Sequence, residues 1–595
     1  GLVQANGNTG GGSDDFHRST SVSFFTGSVF DWNNITTFQS ATVTYFPNAS
    51  ATDIATFRVS QNVGSIGANS NTIFLGLFEA NANVGFVFTG TKTFRNGIIG
   101  TGTITQSSTG PFAITGTTAR LGGTGPINLL IGGGLSIAPA SVTTLISNKV
   151  VNGPGANFTV DGTLYCSTNI LSGTAWFTLS PAATLGIGSP GGISLPASAT
   201  GNIQTSVRNY EDTATYIYNG ITNQVTGNGL PSMPNSIGLV IIGNSGPAGN
   251  NTVTLTNNNT VLRTINLAAG LFEAGTGQVL VMDANGIING TGGNQGQSAA
   301  AGTIRFPNAG RVNPGTGLSL TNIELRSGVK MGGPNTTIRG SLIIATNGYV
   351  DSTSAPTYSS TPASTLTYTC NCNYGIGNEW YDNTYGTSAG VPHNVTLAAG
   401  TSLDMGSTTF PREMRGDMTI NNGSTLALSS GFGGDLYIKG NWTRTATGSF
   451  NPRTRAVRFN GTSGNQTITR TSGGTETFAY MLIDKSAGQA VVLAGAPNAT
   501  NVTVEGFGGN NILQLISGDL DLNQQTFNFT SYFNSNQNNL GIDGSIGNLT
   551  RNIISTGGAG TFAVFNSNAS TRNITINRIN GVNASLLVVG PTVIM

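Results

Sequence analysis

Charge is the scarcest property of this sequence. Of 595 residues only 25 are Lys or Arg and 24 are Asp or Glu, 8% in all, where a soluble globular chain carries roughly 25%. The net charge is +1 and the ions are scattered singly, so no basic stripe exists to neutralise phosphates, and nucleic-acid and anionic-membrane partners are disfavoured. Histidine is scarcer still. His17 and His393 are the only two, which leaves nothing from which to argue a Ser, His, Asp set. Three cysteines, Cys166, Cys370 and Cys372, are too few for a disulfide scaffold. No further Cys or His stands beside Cys370-Asn371-Cys372 to complete a metal site, so buried thiols or a small surface disulfide fit it better. Apolar runs of the roughly 18 residues that span a bilayer are also missing, and no transmembrane segment is expected. The chain opens at Gly1 without a basic, apolar leader, as a mature or trimmed segment does. Finally, no segment keeps an apolar stripe at i, i+3, i+4 and i+7 free of Gly and β-branched runs, so no helix of three turns is expected.

What the sequence does have is Gly, Asn, Ser, Thr and enough apolar surface for a core. The 86 Gly and 21 Pro together fall short of the roughly 25–30% that marks low-complexity disorder, while 37% of residues are hydrophobic and 28 are Phe. Apolar residues alternate with polar ones over short stretches and break at Asn, Gly, Ser or Thr clusters, the signature of strands and turns. Between 411 and 460 the pairs Met418 and Ile420, Leu426 and Leu428, Leu436 and Ile438, and Val457 and Phe459 each put two apolar side chains on one strand face. Asn422-Gly423-Ser424 and Gly431-Phe432-Gly433-Gly434 are the turns between them. Such strands suit a coil that stacks on itself, so the expected fold is all-β: an elongated right-handed parallel β-helix or β-solenoid with Asn-, Gly- and Thr-rich turns. The expected organisation is an N-terminal β region over 1–200 (a cap or the first part of the solenoid), a block over 201–390 with an aromatic loop at 374–385, and a block over 391–595 that partly repeats 205–285.

The repeat is visible residue by residue. Tyr216-Ile217-Tyr218-Asn219-Gly220 followed by Asn223-Gln224-Val225-Thr226 returns about 240 residues later as Val457-Arg458-Phe459-Asn460-Gly461 followed by Asn465-Gln466-Thr467-Ile468. Downstream, Leu239-Val240-Ile241-Ile242 answers Tyr480-Met481-Leu482-Ile483, and Val253-Thr254-Leu255 answers Val491-Val492-Leu493. What the copy preserves is the order of strands and turns.

These blocks resemble the repetitive cell-surface proteins of Bacteroidota exported by the type IX secretion system. The resemblance rests on Gly440-Asn441-Trp442-Thr443, on Arg455 to Gly461 with Gln466-Thr467-Ile468, on Met481-Leu482-Ile483-Asp484-Lys485-Ser486, and on Leu515-Ile516-Ser517-Gly518-Asp519-Leu520-Asp521-Leu522. Tyr374 to Tyr381 leading to Val391-Pro392-His393-Asn394-Val395-Thr396 has the same character. Asp31-Trp32-Asn33-Asn34-Ile35-Thr36-Thr37-Phe38 with Pro47 is a looser match. The resemblance covers about 205 to 550 and implies an extracellular, adhesive, motility-linked or coat-like β-solenoid with no catalytic residues to carry over. Such proteins end in a C-terminal sorting domain, whereas this chain stops at Val593-Ile594-Met595, so either that domain has been cleaved or the chain is part of a longer one.

Candidate chemistry is sparse. A polysaccharide hydrolase needs two converging carboxylates, and the pairs to consider are Asp519 with Asp521, Glu211 with Asp212, and Glu379 with Asp382. The simplest role for Asp519 and Asp521 is solvation of an outer face. The densest aromatic and polar cluster is 374–385, where Tyr374, Trp380, Tyr381 and Tyr385 stand beside Glu379 and Asp382; rings that stack on sugar faces and polar groups that bind hydroxyls make it the candidate ligand site. Against that stands a plain loop covering a solenoid edge. No cofactor is expected; an isolated structural calcium stays open, although Asp283-Ala284-Asn285-Gly286 is only a turn-like fragment. Asp212-Thr213-Ala214 and Asp351-Ser352-Thr353 are similar to the short O-glycosylation signal of Bacteroidota, which implies Thr213 and Ser352 as acceptors. The leading expectation is a secreted, non-enzymatic surface protein that self-associates into a fibre or layer through its open stack ends and meets surface glycans. The rivals are a carbohydrate-active enzyme and a carbohydrate-binding module on a parallel β-helix.

Overall fold

The computed structural model describes residues 28–33, 56–64 and 71–532, apart from 88, 197, 259, 291–295, 298–301, 352–353, 383–388, 497–498 and 508–512. It also describes the strands at 2–5, 43–45, 539–543, 553–554, 561–566, 573–575 and 585–589. Two compact units make up the chain, Gly1–Thr303 and Ile304–Met595. Both are all-β. Among the described residues the one helical element is a 3-10 turn at Gly333–Asn335, and no helix is long and apolar enough to cross a membrane.

The strands stack in parallel, each pairing with a strand one coil further along the chain, which defines a parallel β-solenoid. In the first unit Val29–Trp32 pairs with Thr56–Val59, and Thr56–Val59 pairs with Leu77–Ala80. In the second, Met418–Ile420 pairs with Trp442–Arg444, and Trp442–Arg444 with Gln466–Arg470. The expected alternation over 411–460 is what the fold buries: Met418, Ile420, Leu426, Leu428, Leu436, Ile438, Val457 and Phe459 are all enclosed, with turns at 422–423 and 432–433.

Parallel register sets each inward side chain above its partner one rung away, so the core is built as columns. Phe57 and Phe78 stack with ring centroids 5.8 Å apart and planes 9° apart. Phe74 and Phe94 do the same at 5.3 Å and 6°. In the second unit Trp442 meets Phe450 and Phe478 edge-on at 4.7 and 5.6 Å. Burying a large apolar side chain contributes about 1.5–3 kcal/mol, and repetition multiplies that gain without thickening the core.

Two turn features account for the unusual composition. Where rungs stack backbone on backbone there is no room for a side chain: a Cβ on Gly123 (φ +83°) would lie 2.0 Å from the Gly100 carbonyl oxygen, and one on Gly100 (φ +123°) 2.0 Å from that of Ala80. Asn performs the second task, accepting an N–H from the rung above. Asn394 Oδ1 accepts from Asp417 N at 2.9 Å, and Asn441 Oδ1 from Thr467 N at 2.8 Å. An amide does this without the desolvation cost of a charge. Cys370 and Cys372 form a disulfide, S–S 2.02 Å, and Cys166 is a free, buried thiol.

Candidate functional site

The segment 374–382 is positioned by parallel pairing: Asn373–Gly375 lies against Ser402–Asp404, and the chain then folds inward. Glu379 and Trp380 are fully buried. Glu379 Oε1 accepts the Gly377 N–H at 2.8 Å and the Tyr368 hydroxyl at 3.2 Å, while the Tyr358 hydroxyl donates to the Glu379 main-chain oxygen at 2.7 Å. The rings of Tyr368 and Tyr374 lie 5.3 Å apart. Burial pushes the Glu379 carboxyl above the usual range, against the pull of the Gly377 N–H and of the Tyr368 and Tyr374 hydroxyls. Trp380 Nε1 donates to the Glu413 carbonyl at 3.0 Å, and Arg412 donates to the Trp380 carbonyl. Glu413 is in turn paired with Lys439.

This arrangement is a knot that fixes the segment. Glu379 and Trp380 are enclosed, so neither surface is offered to a ligand from solution. What the segment presents outward is Tyr381, 41% exposed, with half-buried Asp382 and Tyr374 near it in sequence. Tyr381 is held by its N–H to the Gly390 carbonyl at 2.8 Å. Among the described rings of the segment the stacking role expected of Trp380 falls to Tyr381, the most exposed of them, because the indole is turned into the stack. Tyr385 and Ser352 lie outside the described residues, as do Asn34 to Phe38 and Pro47.

Of the other carboxylates, Asp521 is buried and accepts the Asn523 N–H at 2.9 Å, a turn-holding role instead of the solvated one expected of it. Asp519, two residues earlier, is half-buried. Glu211 and Asp212 are half-buried, and Thr213 beside them is exposed in a turn. Among the described residues no three of His, Cys, Asp and Glu gather to hold a metal ion.

Sequence reasoning missed Tyr358, Tyr368, Arg412 and Glu413, which reach the knot from neighbouring rungs. It also missed the reason for the repeated Asn-Gly and Asn-Gln phrases. Gln224 Oε1 accepts the Gly220 N–H at 2.8 Å, and its Nε2 donates to the carbonyls of Ile187 and Ser189, both at 3.0 Å. About 240 residues on, Gln466 Oε1 accepts the Gly461 N–H at 2.8 Å, and its Nε2 donates to the carbonyls of Ile438 at 3.0 Å and of Gly440. The same two phrases therefore build the same buried clamp. The donor one rung above differs between the copies: Asn244 Nδ2 reaches Gln224 Oε1, and Lys485 Nζ reaches Gln466 Oε1, each at 3.1 Å.

Stacked parallel strands, columnar cores and clamped turns define the class: a β-solenoid repeat protein. No family model, curated protein or solved structure matches the chain.

Proposed function

We propose that this is a non-enzymatic, extracellular surface protein whose solenoid is the working part: a structural and adhesive scaffold of the kind that Bacteroidota export by the type IX system, assembling into fibres or layers and meeting surface glycans. One observation carries the reading. Several of the few charges pair with one another, most of these pairs running between rungs. Arg58 Nε binds Glu79 at 2.9 Å, Arg305 and Arg326 bind Glu324 at 2.8 and 2.6 Å, Arg444 binds Glu476 at 2.5 Å, and Arg458 binds Asp484. Directly opposed positions supply the first two of these contacts, Arg58 facing Glu79 and Arg305 facing Glu324 in register. Carboxylates used as rivets between rungs suit a molecule that bears load, because pulling along the stack must break ladders of backbone bonds and these ties together.

Force spectroscopy on the tethered chain, with negative-stain microscopy of the same preparation, tests the reading. Resistance in many similar steps, and particles that associate as concentration rises, are the expected results. A chain that extends at negligible force and stays monodisperse at every concentration contradicts it.

A further inference from the structure

Along one face of the first unit the inward column runs Phe112, Leu135, Phe158, Phe177, each opposite the next in register. The next residue in that column is Arg208. Among the described residues the strand that carries it, Ile203–Asn209, pairs on one side only, with Leu171–Leu179. A cation thus closes the apolar run on this side, as the buried Lys92, opposite Phe112, precedes it on the other.

Arg208 is 7% exposed. Its Nε donates to the Thr205 carbonyl at 2.9 Å. Its Nη1 lies near the Ser194 carbonyl at 3.0 Å, the Ser194 hydroxyl at 2.7 Å, the Leu195 carbonyl at 2.7 Å and the Ser198 carbonyl at 2.8 Å. All of these acceptors are neutral. Among the described residues no carboxylate pairs with the guanidinium and Nη2 has no partner, unlike Arg58, Arg305 and Arg444, which bind acids. Burial lowers the Arg208 pKa from its ordinary value, consistent with a charge that is not neutralised. Arg208 lines an open groove of about 440 Å³ together with Tyr210, Glu211, Asn228, Leu230 and Ser232, within the roughly 300–1,000 Å³ of small-molecule sites. Tyr210 is braced against Phe177, ring centroids 5.8 Å apart. Amide, hydroxyl, carboxylate and ring in one concavity are the groups that bind sugar hydroxyls and apolar sugar faces.

We propose that this groove binds an acidic saccharide, its anionic substituent meeting Arg208 and its hydroxyls meeting Asn228, Ser232 and Glu211. The inference rests on the adhesive reading above, but it places the contact at the groove and not at Tyr381.

Calorimetric titration of the whole chain with oligogalacturonate, with a sulfated oligosaccharide and with neutral xylo-oligosaccharide tests it. Acidic oligomers are expected to bind at least about tenfold more tightly than the neutral one, with affinity falling as salt rises, and the stronger of the two acidic arms tells carboxylate from sulfate. Arg208→Gln should abolish that preference. Because the variant also loses ties to the 194–198 loop, Asn209→Trp, at an exposed groove-lining position, serves as the second probe: it should weaken binding at least about tenfold with an unchanged melting temperature. Equal binding of neutral and acidic oligomers, no binding of any of them, or full binding by Asn209→Trp each overturns the groove assignment. Acidic binding lost in Tyr381→Ala but kept in Asn209→Trp overturns the groove and leaves the adhesive reading standing.

Discussion

At the scale of the residue, this protein buries several polar groups that ordinary cores exclude. Lys149 is 1% exposed, and its ammonium is met only by the carbonyls of Gly122 at 3.0 Å and Gly125 at 2.6 Å. Burial lowers its pKa from 10.5 to about 8. The unfolded chain therefore holds a proton between about pH 8 and 10.5 that the folded chain has released, and stability through this group rises with pH across that window. Below pH 8 both states are charged and the cost of burying the ion is fully present, about 3–4 kcal/mol at about 1.4 kcal/mol per pKa unit. Cys166, pushed up to about 12 by burial, acts in the opposite sense: above about pH 9 the unfolded thiol ionises first and stability falls. The Lys149→Met variant separates the two. The unfolding free energy of the wild type minus that of the variant should climb between pH 8 and pH 10.5 in denaturant titrations, and a difference that stays flat would rule out a charged, buried Lys149 at neutral pH. None of this is legible in the sequence, where Lys149 stands between Asn and Val like a surface lysine at the start of a strand.

The element is the turn with the two strands it joins, and here the sequence was most informative and least complete. Period-two alternation reveals which residues of 418–420, 436–438 and 457–459 point inward, because a strand has only two faces. Register is another matter. Turn lengths vary from coil to coil, so nothing in the sequence shows that Thr367, Thr396, Thr419, Thr443 and Thr469 form one outward column. Nor does it show that Tyr358 and Tyr368 meet Glu379. The aromatic cluster was visible at 374–385, whereas the inward turn of Trp380 depends on Glu413 and Arg412, more than thirty residues away. The duplicated phrases were visible as well, and the structure supplies their cause in the Gln224 and Gln466 clamps. Replacing Gln466 by Ala removes a side chain that serves one donor and two carbonyls inside the stack and strips Lys485 of an acceptor. Buried groups left without partners cost about 1–3 kcal/mol each, so Gln466→Ala should destabilise the second unit by at least about 3 kcal/mol in chemical denaturation. It should also raise hydrogen exchange at Gly461 more than at the equivalent Gly220. A loss under about 1 kcal/mol would mean that water substitutes for the amide and that the phrase was retained for another reason.

At the scale of the molecule, low charge and internal pairing bear on how copies would meet in the proposed assembly. With a net charge of +1 and a sequence pI near 7.9, two copies at neutral pH repel one another weakly, and net charge far from zero is what keeps most proteins apart. Some of the acids that could mark a complementary charged interface are held by arginines of their own chain, as Glu79, Glu324, Glu476 and Asp484 are. In the proposed assembly, contacts between copies would then be left to uncharged groups: amides, hydroxyls, and exposed apolar side chains such as Phe432, 86% exposed, and Ile131, 72% exposed. Salt discriminates between the two kinds of contact. The screening length shrinks from about 14 Å at 0.05 M to about 4 Å at 0.5 M salt, so an assembly held by ion pairs loosens over that range. One held by amides and apolar groups keeps its size or grows. Sedimentation velocity at a fixed protein concentration should therefore show association that persists or increases from about 0.05 M to 0.5 M sodium chloride. Assemblies that dissociate as salt rises would place the contacts on the unpaired charges instead, and would remove the shortage of charge as the reason that many copies can lie together.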